Sequence, residues 1–223
     1  MSIVLVVAPH PDDESLGCGG TLLKHVKGGD EVHWLIVTDM ATEFGFSKHQ
    51  VLTRSREITD VANAFGFHKA HNLGLCPAAL DSVPMIELVG KISNVIKFVS
   101  PEVIYVPFRG DVHTDHDRVF NAVISSTKWF RYPSVTSLLC YETVSETDFA
   151  LDPTAHRFSP NLYVDISEHL TRKIEICEIY KSEMDLFPFP RSARAISSLA
   201  HTRGAASGCG AAEAFVILKQ IVR

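Results

Sequence analysis

The sequence predicts an α/β fold: a mostly parallel sheet flanked by helices, with its working groups at the carboxyl ends of the strands. Three observations carry this prediction. Short apolar runs rich in β-branched residues recur, as in Ile3-Val4-Leu5-Val6-Val7 and Val103-Ile104-Tyr105-Val106, and such runs suit strands buried on both faces. A strand, a helix and a second strand fit between Ile3 and Thr38, which is the βαβ unit that brings parallel pairing and a right-handed crossover. Two of the strands run directly into clusters of histidine and aspartate, and functional groups in open α/β sheets gather just beyond the strands' carboxyl ends.

The elements follow in order. After the first strand, Ala8-Pro9-His10-Pro11-Asp12-Asp13-Glu14 forms a turn that two prolines hold open, because proline fixes φ and cannot continue a strand. Leu16 to Val26 is a glycine-rich helix stopped at Gly28-Gly29, and Val32 to Thr38 is the second strand. Asp39 to Gln50 reads as a mobile polar loop, Val51 to Phe65 as a helix ended by Gly66, and Ala70 to Leu75 as a short strand. Ser82 to Ser100 is predicted as an amphipathic helix capped by Ser82, with Ile86, Val89, Ile92, Ile96 and Val99 on its apolar face. Strand 103–106 then meets Gly110-Asp111-Val112-His113-Thr114-Asp115-His116-Asp117, and a helix continues over Arg118 to Trp129. Strands at Ser137–Thr143 and Asn161–Asp165, helices at Ser167–Met184 and Ser192–Arg203, a Gly/Ala-rich patch and a terminal apolar run from Ala214 to Val222 complete the chain.

Length and composition set limits on function. The 223 residues suit one α/β domain spanning 1–223, and 46% hydrophobic with 21% charged residues support a sizeable core rather than disorder. A net charge of −5 without any Lys/Arg run argues against nucleic acid or an anionic membrane as partner. The N-terminal apolar run is too short for a signal peptide or a membrane span. Five scattered cysteines, with no Cys-x-x-Cys, speak against a disulfide framework or a thiolate zinc cage and for a cytoplasmic protein. A homo-oligomer is left open.

The two loaded loops carry the chemistry. His10 and Asp13 are three residues apart on an irregular turn and can aim at one point. Asp12 points elsewhere in extended backbone, so one carboxylate can bind a metal while its neighbour addresses what the metal holds. Helix capping accounts for two carboxylates but leaves His10 without a role. In the second loop, His113 and His116 stand three apart, with Asp115 between them. Parallel strands place both loops at one edge, so His10, Asp13 and His116 supply two imidazoles and a carboxylate. That three-ligand set with room for water is the pattern of a catalytic zinc site, and it would equally suit iron(II). Asp12 is then the general base and His113 the general acid or oxyanion partner, with Asp115 expected to hold the His113 ring through its other nitrogen.

Ala-x-His-Pro-Asp-Asp-Glu after the first strand, paired with His-x-Asp-His after a later one, resembles the LmbE/PIG-L-like N-deacetylases. The resemblance implies a Rossmann-like fold and zinc-dependent removal of acetyl from N-acetylglucosamine-type sugars, glycosides or sugar conjugates. Known substrates range over phosphatidylinositol-linked sugars, thiol precursors, chitooligosaccharides and glycopeptide antibiotics. It implies zinc ligation by His10, Asp13 and His116, catalysis by Asp12 and His113, and sugar contact by Arg54 in Arg54-Ser55-Arg56-Glu57. Asn72-Leu73-Gly74-Leu75, Ala200-x-x-Arg203-Gly204 and Ala212-Glu213-Ala214-Phe215 are similar to further family segments. Two departures stand out. Thr114 occupies a position the family usually gives to proline, and Asp111-Val112 stand where some members carry a tyrosine. The hydrophobic N-terminal segment of membrane-anchored members is not found, which points away from a lipid-linked substrate. The alternatives are an amidase on another N-acyl substrate and an inactive carbohydrate-binding protein.

Weaker features receive structural readings. Gly17-x-Gly19-Gly20 departs from the dinucleotide fingerprint and suits close helix-to-sheet packing. Glu14 is read as a carboxylate at the helix start, His33 as a half-buried core or edge residue, and Cys18 as no nucleophile. His25, His49, His68, His71, His156, His169 and His201 lack partner spacing and are read as surface or structural. Phe187-Pro188-Phe189-Pro190 is read as a packed loop.

Overall fold

A computed structural model of the chain describes residues 1–151 and 157–222. His156 lies outside the described residues. The strands are β1 (Ile3–Ala8), β2 (Glu31–Thr38), β3 (Lys69–Leu75), β4 (Val103–Pro107), β5 (Ser137–Tyr141), β6 (Leu162–Asp165) and β7 (Ala212–Gln220). They form a sheet in the order β3-β2-β1-β4-β5-β7-β6. β1 to β5 pair in parallel, and β7 runs antiparallel between β5 and β6.

The helices are α1 (Asp13–Lys27), α2 (Lys48–Phe65), α3 (Met85–Val99), α4 (Thr114–Ser125), α5 (Leu170–Cys177) and α6 (Ala193–Ser207). They cover both faces of the parallel strands, which explains why those strands read as continuous apolar runs. On one face Leu5, Val7, Leu35 and Val37 meet Leu88, Ile92 and Ile96 of α3 and Val119 and Val123 of α4. On the other, Val4, Val6, Trp34 and Ile36 meet Leu22, Val61, Phe65 and Ile176. Each such aliphatic or aromatic side chain contributes about 1.5–3 kcal/mol when fully buried. α1 approaches the sheet closely because of its glycines: a Cβ at Gly17 would run into the Tyr141 ring, and one at Gly20 into Ile166.

Several helices differ from expectation; α4, for one, runs Thr114–Ser125 rather than Arg118 to Trp129. α3 starts at Met85 after Pro84, and Ser82 ends a short 3-10 turn instead of capping it. Its buried face is Leu88, Ile92, Ser93, Ile96 and Val99, and Ile86 is exposed. Proline suits a helix start, and the later start leaves Ile86 in a first turn that faces solvent. α5 covers only Leu170–Cys177, and Ser167 bonds Asp165 and the Ala211 amide instead of capping a helix. The stretch after Cys177 is irregular and carries Tyr180 and Glu183 back toward the end of β1. α2, by contrast, begins with a full capping box, Ser47 with Gln50, three residues before the predicted start at Val51.

Topology fixes where a site can form. From β1 the chain steps through β2 to β3 on one side, and from β4 to β5 on the other. The crevice between the carboxyl ends of β1 and β4 is therefore the switch point of the sheet, where ligands bind in open α/β folds. A buried ion pair braces α1 there from below. Lys173 Nζ lies 2.7 Å from Glu213 Oε1, and the Glu213 carboxylate accepts the Gly20 and Thr21 amides at 2.9 and 2.7 Å.

Candidate active site

The turn after β1 is held from several sides. Thr38 at the end of β2 donates its amide and hydroxyl to the Pro9 carbonyl at 3.0 and 2.8 Å. Asp12 has φ 141°, a conformation in which an L residue is strained. Such strain costs on the order of 1–3 kcal/mol and persists only where the surroundings over-determine it. Here the Asp12 amide donates to Glu14 Oε2 at 3.1 Å, and its carbonyl accepts the Ser15 and Leu16 amides at 3.0 and 2.9 Å. Buried Glu14 thus supports the backbone of Asp12, with Tyr180 Oη donating to its other oxygen at 3.0 Å.

The structure brings His10, Asp13 and His116 together. His10 Nδ1 lies 3.4 Å from Asp13 Oδ2, and His116 Nε2 lies 3.3 Å from Asp13 Oδ1. One ligand atom from each residue lies within 4.8 Å of the others. His116 is fully buried, and its Nε2 has no hydrogen-bond partner among the described residues. An orphaned buried imidazole nitrogen aimed at a carboxylate is what a metal ligand looks like in the absence of the ion. The remaining nitrogens are fixed by carboxylates. His10 Nε2 donates to Asp115 Oδ2 at 2.9 Å, and His116 Nδ1 donates to Asp111 Oδ2 at 2.7 Å. This is the carboxylate–histidine arrangement that sets tautomer and ring orientation at metal sites. A second grouping, His10 with His113 and Asp115, is also compact. There, however, the Asp115 oxygens already accept His10 Nε2 and the Ala78 and Leu80 amides. The donor set therefore fits a divalent transition metal on His10, Asp13 and His116.

Asp115 departs from the sequence expectation. It holds His10, not His113, because α4 begins at Thr114 and turns the Asp115 side chain back under the β1 loop. His113 precedes the helix, and its Nδ1 accepts the Asp115 amide at 3.2 Å. That leaves the hydrogen of a neutral ring on Nε2. Burial and the neighbouring His10 charge push His113 down to about 4, so the ring is neutral at pH 7. Burial also lowers His10, but hydrogen bonds to Asp115 and Asp13 outweigh it and lift the ring to about 9.

Arg191, unassigned from sequence, reaches the site from the loop before α6. Its Nη1 donates to Asp12 Oδ2 at 2.7 Å and Glu183 Oε2 at 3.2 Å, its Nη2 to Glu146 Oε1 at 3.0 Å, and its Nε to Ser145 Oγ at 2.7 Å. Burial pushes the Asp12 carboxyl up to about 7, and the Arg191 charge opposes that rise. Asp12 Oδ2 is engaged, whereas no described side chain bonds Oδ1. Arg54 also makes contacts within the protein. Its Nη1 donates to the Pro11 carbonyl at 2.8 Å, its Nη2 bonds Ser182 and Glu183, and its Nε lies 3.3 Å from Glu57. Arg54 borders the cavity, and the bonds it makes tie the β1 loop to the chain after α5.

His10, Asp12, His113 and Arg191, with Met40 and Phe46 from the loop after β2, line a cavity of about 220 Å³. The loop of Phe187 and Phe189 is not packed as expected. Both rings are partly exposed, and Phe187 borders a separate cavity of about 710 Å³ that includes none of the candidate ligands. Arg203 makes a two-pronged bond to Glu142 at 2.7 and 2.6 Å, which makes it a bracket between α6 and the end of β5.

Residues 5–127 match the family profile described as PIG-L, GlcNAc-PI de-N-acetylase. Diacetylchitobiose deacetylase of Thermococcus kodakarensis is 28% identical over 196 residues, covering 81% of this chain and 69% of that protein. Among solved structures, the conserved protein TT1542 of Thermus thermophilus superposes with a TM-score of 0.80 at 27% identity, covering 100% of this chain and 97% of that one. GalB, the 4-carboxy-2-hydroxymuconate hydratase of Pseudomonas putida, gives a TM-score of 0.73 at 15% identity, covering 100% and 98%. At that distance the likeness concerns the fold, and a hydratase on the same frame shows that the frame alone does not choose the reaction.

Proposed function

The chain belongs to the PIG-L family of GlcNAc-PI de-N-acetylases, and from that premise we propose that it is a metal-dependent hydrolase removing acetyl from a small N-acetylated amino sugar. One observation carries the reading: the convergence of His10, Asp13 and His116, with His116 Nε2 left without a partner among the described residues, directly beside Asp12. His10, Asp13 and His116 would hold zinc or another divalent transition metal. Such an ion, when bound, supplies Lewis acidity toward a water and the acetyl carbonyl.

The chain's own residues account for the proton movements. Asp12 takes a proton from the attacking water at Oδ1, the oxygen that Arg191 leaves free. The hydroxyl joins the acetyl carbon, the amide C–N bond breaks, and Asp12 returns the proton to the leaving amine. The products are acetate and the free amino sugar. His113, neutral and carrying its hydrogen on Nε2, donates to the carbonyl oxygen as negative charge develops there. Arg191 fixes the Asp12 carboxylate, while Asp111 and Asp115 fix the rings of His116 and His10. The cavity of about 220 Å³ is small for a ligand site, which favours one sugar ring at the reacting end.

The same reading takes residues 1–223 as one catalytic unit in the cytoplasm. Its five cysteines are unpaired, as suits a reducing compartment, and no described helix is long and apolar enough to cross a membrane. An amine-release screen over N-acetyl sugars, their glycosides and nucleotide sugars, set beside other N-acyl amines, tests the proposal. Release from the N-acetyl sugars supports it. No release from any N-acetyl sugar by zinc-loaded protein overturns it.

A further inference from the structure

At the opposite edge of the sheet a second cluster forms from residues that the proposed reaction does not use. Glu31 and His33 stand at the amino end of β2, His68 in the turn between α2 and β3, and His71 on β3. His33 Nε2 lies 2.8 Å from Glu31 Oε1, and His68 Nε2 lies 3.5 Å from that same oxygen. The three donor atoms fall within 4.8 Å of one another. On its other side, His33 Nδ1 lies 3.0 Å from His71 Nε2. His33 is buried, Glu31 and His71 are half-buried and His68 is exposed, so the cluster has a wall in the core and an opening to solvent.

We propose that Glu31, His33 and His68 form a second divalent transition-metal site, with His71 holding His33 in the ligating tautomer. Two neutral imidazoles 3.0 Å apart share a single hydrogen between their facing nitrogens. When His71 donates it, His33 Nδ1 accepts and Nε2–H bonds Glu31. When His33 Nδ1–H donates to His71, the His33 Nε2 lone pair faces the Glu31 carboxylate directly. Only a cation between them makes that second state favourable. A metal therefore takes the place of the His33 Nε2 hydrogen: that proton leaves to solvent, the shared hydrogen passes to His33 Nδ1, and His71 takes a proton from solvent at its own Nδ1, so both rings stay neutral. The exposed His68 side chain completes a set of two nitrogens and one oxygen. Imidazole-rich sets of this kind favour zinc, nickel or copper over calcium or magnesium.

The two sites are independent. From Glu31 to Thr38, β2 rises ~3.3 Å per residue, so they lie roughly 20 Å apart. An ion here ties β2 to the turn leading into β3, the edge strand of the sheet. Its binding free energy then adds to folding free energy. The site is a staple for the sheet edge and takes no part in turnover.

Zinc titration of the metal-stripped full chain tests this, with metal counted by elemental analysis. Wild type is expected to bind two equivalents, and His68→Ala, Glu31→Gln and His116→Ala one each. Zinc should still raise the thermal midpoint of His116→Ala and should not raise that of His116→Ala/His68→Ala. His71→Ala should weaken the second equivalent by about 10–100-fold. His68 is exposed, so its loss spares folding, and Glu31→Gln checks it independently. A single equivalent in wild type that persists in His68→Ala, or two equivalents retained by both His68→Ala and Glu31→Gln, overturns the assignment. Neither result bears on the proposed deacetylation.

Discussion

The two edges of the sheet hold histidine clusters built on different supports. At the carboxyl edge, His10 and His116 are each oriented by a buried carboxylate, Asp115 and Asp111. At the amino edge, His33 is oriented by another imidazole, His71. The carboxyl edge also contains strained Asp12, an arginine on its carboxylate and a cavity beside it. The amino edge has none of these among its described residues. A carboxylate partner raises ligand basicity and fixes one tautomer, whereas an imidazole partner permits two. The first arrangement suits a permanent catalytic ion and the second a reversible clip. Histidine content alone would not have separated them.

Metal removal should break the contrast most sharply. Chelation is expected to take amine release to background and zinc to restore it, in wild type and His68→Ala alike. Failure of zinc to restore turnover in correctly folded protein would remove the metal from the reading. Next in size, Asp12→Ala should lower kcat by ~10²–10⁴-fold while elemental analysis still finds metal at the carboxyl edge. Wild-type-like turnover in that variant excludes Asp12 as base.

Arg191→Met should reduce kcat by roughly tenfold to a hundredfold, the worth of a hydrogen bond to a charged group at ~1.5–3 kcal/mol. It also carries a sign. Burial raises the Asp12 carboxyl and Arg191 opposes the rise, so losing Arg191 raises it further. The acid limb of the rate profile must then move to higher pH, and a shift toward lower pH contradicts the assignment. Asp111→Asn should weaken zinc at the carboxyl edge by ~10–100-fold, measured by competition with a chromogenic chelator, and leave the amino edge unchanged. The smallest effect is expected for His68→Ala, whose kcat/KM on any accepted substrate should stay within about twofold of wild type, since surface changes away from special features are energetically slight. A large loss there would show that the two edges communicate.

Much of the site was legible because it is local in sequence. His10, Asp12 and Asp13 share one turn, and His113, Asp115 and His116 another. Each turn follows an apolar strand, and parallel pairing brings such ends to one edge. What failed were the partnerships. Asp115 is adjacent to neither His10 in sequence nor the turn that His10 occupies, yet the start of α4 turns it there. Asp111 was noticed only as a departure from tyrosine, and it proves to be the partner of His116. Arg54 is a different case: a matching motif suggested sugar contact, and the fold sets it at the cavity wall while bonding it to Pro11, Ser182 and Glu183.

By itself, then, the sequence determined the α/β class and the two strand-end turns whose histidines and aspartates converge, because periodicity and strand-end composition are local properties. Tertiary structure alone decided which nitrogen of each histidine faces which carboxylate. It also decided that Arg191 crosses to Asp12, that His68 joins His33 at Glu31, and that His71 meets His33. Those choices depend on strand register and on the irregular chain after α5, which bring together residues far apart in the sequence. No spacing rule encodes them, because the contacts arise only when the sheet is assembled.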